Sequence, residues 1–184
     1  MFIGKAISNL SIPCKWQQSN DTKNCMGNKN FKSIRGPKIY LKTEDMLYSG
    51  CNGTGLSFYI KYADESTDEE PVVIAKGVDE NGNDFEQRIF INKINPSCAT
   101  VVEMRALEGH YKVKKQGGLT SLPLSSGELG LNDRANFISM FEQCIGDMKK
   151  LGRYDLTLLW MKSMDTYLSL TKNKYGQQEK FGLQ

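Results

Sequence analysis

Residues 71–91, PVVIAKGVDENGNDFEQRIFI, decide the fold. PVVIAKGV (71–78) is a strand with Pro71 at its start, where a missing N–H is tolerated. FEQRIFI (85–91) is a second strand, and DENGND (79–84) between them carries Asn81-Gly82. Both residues of that pair accept positive φ, so the segment predicts an antiparallel hairpin. Upstream, LSFYIKY (56–62) places Leu56, Phe58, Ile60 and Tyr62 on one face at strand periodicity. ADESTDEE (63–70) connects this strand to the hairpin. Three strands in this order form a meander with one apolar face, which needs a cover. IYLK (39–42) is a candidate fourth, edge strand or the entry to the domain.

Helices downstream supply the cover. NPSCATVVEMRALEGHYK (95–112) reads as a helix with Asn95 as N-cap and Pro96 at the first helical position. Its stripe is Val101, Met104, Leu107 and Tyr111. Residues 133–151 form a second helix, with Asp133 near the cap and Phe137, Phe141, Cys144, Met148 and Leu151 inward. Gly152 stops it. Residues 154–175 return as a third helix with Leu156, Trp160, Met164 and Tyr167 inward, so the last two helices make an αα-hairpin. The long connection 116–132 packs through Leu119, Leu122, Leu124, Leu129 and Leu131. The expected fold class is α+β: a small antiparallel meander of three to four strands packed against about three helices.

The whole chain is 184 residues long, enough for one domain with a sizeable core and an additional arm. Residues 1–40 hold seven Lys or Arg against Asp21 alone, whereas residues 41–184 hold 17 basic and 20 acidic residues. The expected organisation is a basic, weakly ordered arm over residues 1–38 and a single domain over 39–184. Within the arm, Trp16, Phe31 and Arg35 are candidate partner contacts. No apolar run is long enough to span a membrane. The scattered apolar residues of the N-terminus do not make a secretory signal, so a cytoplasmic location is expected.

Five cysteines, Cys14, Cys25, Cys51, Cys98 and Cys144, are widely spaced and form no C-x-x-C pair. They read as free thiols, with Cys98 and Cys144 in apolar helical stripes.

GCNGTG (50–55) invites a phosphate-loop reading. Its order is G-x-x-G-x-G, it lacks a following Lys-Ser/Thr pair, and a strand follows where a nucleotide loop needs a helix. It reads as a turn feeding the meander. DENGND imitates the opening of a calcium loop, but its sixth position is Asp84 and the twelfth is Phe90. His110 is the only histidine, and it lies near a helix C-terminus, where the dipole favours it. No catalytic, cofactor-binding or metal-binding residue is assigned. The acidic loop, with Asp64, Glu65, Asp68, Glu69 and Glu70, is a candidate contact for a basic partner surface or for the chain's own basic arm.

IYLKTEDMLYSGCNGTGLSFYIKYA, VIAKGVDENGNDFEQRIFINKINPSCATVVEMRALEGHY and NDRANFISMFEQCIGDMKKLGRYD resemble a family of small bacterial proteins of unknown function, with members in anaerobic gut bacteria. The resemblance covers about residues 39–170 and implies the same hairpin, "INP" helix start and closing helices. It carries no catalytic residues. Three function classes follow. A non-enzymatic interaction module with a protein partner leads. A nucleic-acid-binding protein using the basic arm is second, and a thiol- or His110-dependent enzyme is third.

Overall fold

The computed structural model describes residues 38–116 and 120–178, with side chains through residue 170. Four strands, β1 (Met46–Cys51), β2 (Ser57–Tyr62), β3 (Val72–Val78) and β4 (Asp84–Phe90), form an antiparallel sheet in that order. A short two-stranded ladder joins β5 (Ala99–Thr100) to β6 (Arg134–Ala135). The helices are α1 (Val101–His110), α2 (Phe137–Lys150) and α3 (Tyr154–Gln178), and α2 and α3 pack as a C-terminal hairpin. The fold is α+β.

Register explains the inner face of the sheet. Phe58, Gly77 and Phe85 align across β2, β3 and β4, as do Ile60, Ala75 and Gln87. Gly77 leaves room for two flanking rings, Phe58 and Phe85, whose centroids lie 6.5 Å apart. A Cβ on Gly77 would sit 2.7 Å from both Cα and Cβ of Phe58. The core continues from Leu56, Phe58, Ile60, Val73 and Ile89 into Val102, Met104 and Leu107 of α1, then into Phe137, Phe141, Trp160 and Tyr167 of the hairpin. Phe141 lies against both Trp160 (5.9 Å) and Tyr167 (5.6 Å), which ties α2 to α3. No helix among the described residues is long and apolar enough to cross a membrane.

The edge strand is Met46–Cys51, not 39–42. MLYSGC lacks alternation because every residue through Gly50 is half-buried, so its periodicity is silent. Residues 38–42 form no strand. They lie against the outer face of the sheet, where Ser57 Oγ donates to the Lys38 carbonyl and Ser49 Oγ to that of Tyr40, whose ring packs on Tyr59.

Helix starts also move. Asn95 closes a turn: its side chain accepts from Ser97 N and its carbonyl from Cys98 N. The N-cap of α1 is Thr100, which accepts from Glu103 N while Glu103 accepts from Thr100 N, a reciprocal capping box. Asn136, not Asp133, caps α2. Asp133 instead accepts from Gly130 N in the preceding turn. Cys98 therefore lies outside any helix and is exposed, whereas Cys144 packs against the core from α2. Burial raises the pKa of the Cys144 thiol. Of the connection's leucines, Leu122 is buried, Leu129 and Leu131 pack on the core, and Leu124 is exposed. Leu119 lies outside the described residues. Leu151, placed inward by periodicity, is exposed because it is the C-cap of α2, and Ile145 fills the core in that part of the helix.

Candidate functional surfaces

The β2–β3 loop is built from its own backbone outward. Ser66 N donates to the Ala63 carbonyl, and Thr67 N to that of Glu70. Glu70 N returns a hydrogen bond to Thr67 Oγ1, and Val72 N donates to Ser66 Oγ. Asn92, beyond β4, donates to the Glu69 carbonyl at 2.8 Å. These bonds leave the carboxylates pointing into solvent. Glu65 pairs with Arg88 at 2.5 Å across the sheet edge, and among the described residues Asp64, Asp68, Glu69 and Glu70 make no ion pair. The structure thus brings all five acidic residues singled out in the sequence onto one braced projection. Trp16, Phe31 and Arg35, with the rest of the basic arm through residue 37, lie outside the described residues.

The glycine-rich turn is braced differently. Asn52 N donates to Leu56 O, Gly53 N to Gly127 O, and Gly55 N to Asn52 O. Thr54 N donates to Asn52 Oδ1 and Leu56 N approaches Thr54 Oγ1, while Asn52 Nδ2 reaches Leu129 O. A phosphate cradle requires amides free to donate, and here each amide from 52 to 56 is engaged inside the protein. A cleft of about 620 Å³ separates this turn from the β3–β4 turn. In that second turn the Asp79 carboxylate accepts from Asn81 N and Asn83 N, and the bond from Asn83 N is the main cause of its lowered pKa. Glu80 accepts from Leu131 N. Asp84, the third acid of the cleft, pairs with Lys38 at 3.2 Å, and no cluster of three metal-ligating side chains occurs among the described residues.

His110 sits at the end of α1 with Nδ1 2.9 Å from the Tyr62 hydroxyl. Its ring also packs edge-on against Tyr111 at 4.6 Å. Such an arrangement clamps α1 to the end of β2.

Beneath α1 lies a polar cluster that periodicity concealed. Arg105 pairs with Glu108 at 2.5 Å, donates to Ser121 Oγ at 2.8 Å, and its guanidinium lies 5.2 Å from the centre of the Tyr48 ring. Tyr167 approaches from α3, and its hydroxyl lies toward Ser121 without a well-aligned hydrogen bond. Burial pushes both the Tyr48 and Tyr167 phenols above their ordinary pKa. Arg105 and Glu108 are three residues apart on the sequence, the spacing that signals a helical ion pair. Tyr48, Ser121 and Tyr167 join them only through tertiary packing.

A second groove, of about 440 Å³, opens between β1 and the end of α1, over Tyr48, Ser49 and Glu108. Lys42, Lys112, Lys114 and Lys115 line it, and no carboxylate among the described residues pairs with them. α1 ends in a Schellman arrangement, with Val113 N donating to Glu108 O and Lys112 N to Gly109 O. The left-handed residue this motif requires is Lys112, at φ 50°. α2 ends in the same way, but there the left-handed residue is Gly152, at φ 68°.

Compared with known proteins, the chain matches no family model, no curated protein and no solved structure.

Proposed function

We propose that this chain is a non-enzymatic interaction module whose β2–β3 loop meets a basic surface on a protein partner in the cytoplasm. The observation that carries the reading is the loop itself. Side-chain and backbone bonds from Ser66, Thr67 and Asn92 hold it in one shape, and four of its carboxylates have no cationic partner among the described residues. Holding like charges together costs free energy, and a pre-ordered loop loses little entropy when a partner neutralises it. The polar groups elsewhere that catalysis would need, Asp79, Glu80, Arg105 and Glu108, are engaged in holding turns and helices.

The test is affinity capture with the full chain beside a variant carrying Asp64→Asn, Glu65→Gln, Asp68→Asn, Glu69→Gln and Glu70→Gln. Partners lost from the variant, and eluted from the wild type by moderate salt, are expected. Recovery of the same partners by both chains would end this reading.

The lysine groove favours a second reading, binding of single-stranded nucleic acid. Four lysines with no carboxylate partner among the described residues suit a phosphate backbone, and Tyr111, exposed beside Lys112, offers a stacking surface. Fluorescence anisotropy with labelled RNA and DNA oligonucleotides distinguishes it: affinity falls steeply with salt and is lost in the Lys112→Glu, Lys114→Glu, Lys115→Glu chain. Absence of binding at low ionic strength removes it.

A further inference from the structure

α3 carries two apolar faces. One, with Trp160 and Tyr167, enters the core. The other points outward: Tyr154, Leu158 and Met161 are 68%, 66% and 38% exposed, and Leu151 just before the helix is 68% exposed. Positions 151, 154, 158 and 161 follow the 3-4-3 spacing of a coiled-coil seam, which suits a partner helix of the same period.

We infer that this face pairs with the same face of a second copy, α3 antiparallel to α3. The charges and polar groups choose both partner and direction. The next seam position is Asp165, which is exposed. A parallel pair would set Asp165 against its own copy, like charge on like charge. An antiparallel pair centred between Leu159 and Trp160 sets Leu158 against the partner's Met161 and Tyr154 against the partner's Asp165. A phenol then donates to a carboxylate. In the same register Asp155 flanks the seam opposite the partner's Lys162, and two-fold symmetry repeats every one of these pairs. Asp155 already receives Arg153 Nε and Nη2, one on each carboxylate oxygen, and each oxygen keeps a second lone pair for the lysine. Lys162 makes no ion pair within the described chain. One self-complementary register therefore satisfies three kinds of contact at once. A seam this short gives a weak dimer, in exchange with monomer. The inference is independent of the acidic-loop reading, and either one stands if the other fails.

Sedimentation of the full chain over a wide concentration range tests it. The wild type is expected to shift from monomer to dimer, and Leu158→Glu to weaken that dimer by at least about tenfold, one buried apolar side chain exchanged for a desolvated charge. Asp155→Lys and Lys162→Asp are each expected to weaken it, and the double reversal to restore it. Circular dichroism of each variant keeps a folding defect separate from an interface defect. A chain that stays monomeric throughout overturns the inference. So does a dimer indifferent to Leu158→Glu, or a charge reversal that the double variant does not rescue. A monomer whose capture of another protein depends on Leu158 assigns the face to that protein and equally overturns self-pairing.

Discussion

Arg105 and Glu108 pair at 2.5 Å one turn apart on α1, with side chains only 17% and 11% exposed. Removing one partner leaves the other charge in a half-dry pocket. Arg105→Met is therefore expected to cost about 3 kcal/mol or more, read as a fall in the urea midpoint. The double variant Arg105→Met, Glu108→Leu should lose less than the single one, because no unpaired charge remains.

The Tyr167 hydroxyl is buried without a well-aligned partner. Tyr167→Phe is expected to cost less than about 1 kcal/mol, or to stabilise. Its pH dependence has a definite sign. An unfolded tyrosine ionises near 10.0, whereas burial raises the native pKa of Tyr167. The Tyr167 contribution to native stability is complete below pH 10 and falls as pH rises above it, because the unfolded chain releases a proton that the native one retains. Urea denaturation at alkaline pH should show a shallower decline in Tyr167→Phe than in the wild type. Tyr48, raised for the same reason, contributes to the slope in both chains.

Gly77 and Gly146 predict opposite outcomes for the same substitution. Gly77→Ala drives a methyl into the Phe58 backbone and is expected to destabilise by about 3 kcal/mol. Gly146 lies inside α2 with open space where a Cβ would go. Gly146→Ala is expected to stabilise by about 0.5–1 kcal/mol, because alanine loses less backbone freedom in a helix. Thermal midpoints of both variants check the pair.

Lys112 holds a left-handed backbone that glycine adopts without strain. Lys112→Gly is expected to raise stability by about 1 kcal/mol in chemical denaturation. If the groove binds nucleic acid, the same variant loses affinity, so stability and binding move in opposite directions.

Legibility differed between elements. Leu56, Phe58 and Ile60 alternate cleanly because β2 is central and buried on its helix-facing side, so sequence placed it. β1 is silent in the sequence because an edge strand with half-buried residues carries no contrast between its faces. Thr100-x-x-Glu103 is a capping-box signature that sequence could have yielded, but Asn95-Pro96 offered a competing start five residues earlier. The acidic loop was plain as composition, yet its bracing by Asn92 depends on a contact 23 residues away.

Sequence by itself determined the meander, its turn at Gly82, where φ is 83° while Asn81 stays out of the left-handed region, the three helices and the Gly152 stop. Each rests on local periodicity or on the backbone freedom of a single residue, which neighbours in the chain suffice to express. Tertiary structure alone decided where the charged groups finish. Arg105 and Glu108 meet Tyr48 and Ser121 under α1, Lys42 joins the lysines after α1, and a second apolar stripe remains exposed on α3 once Trp160 and Tyr167 have turned inward. Burial and electrostatic pairing depend on distances between remote segments, and those distances exist only after the sheet and helices have packed.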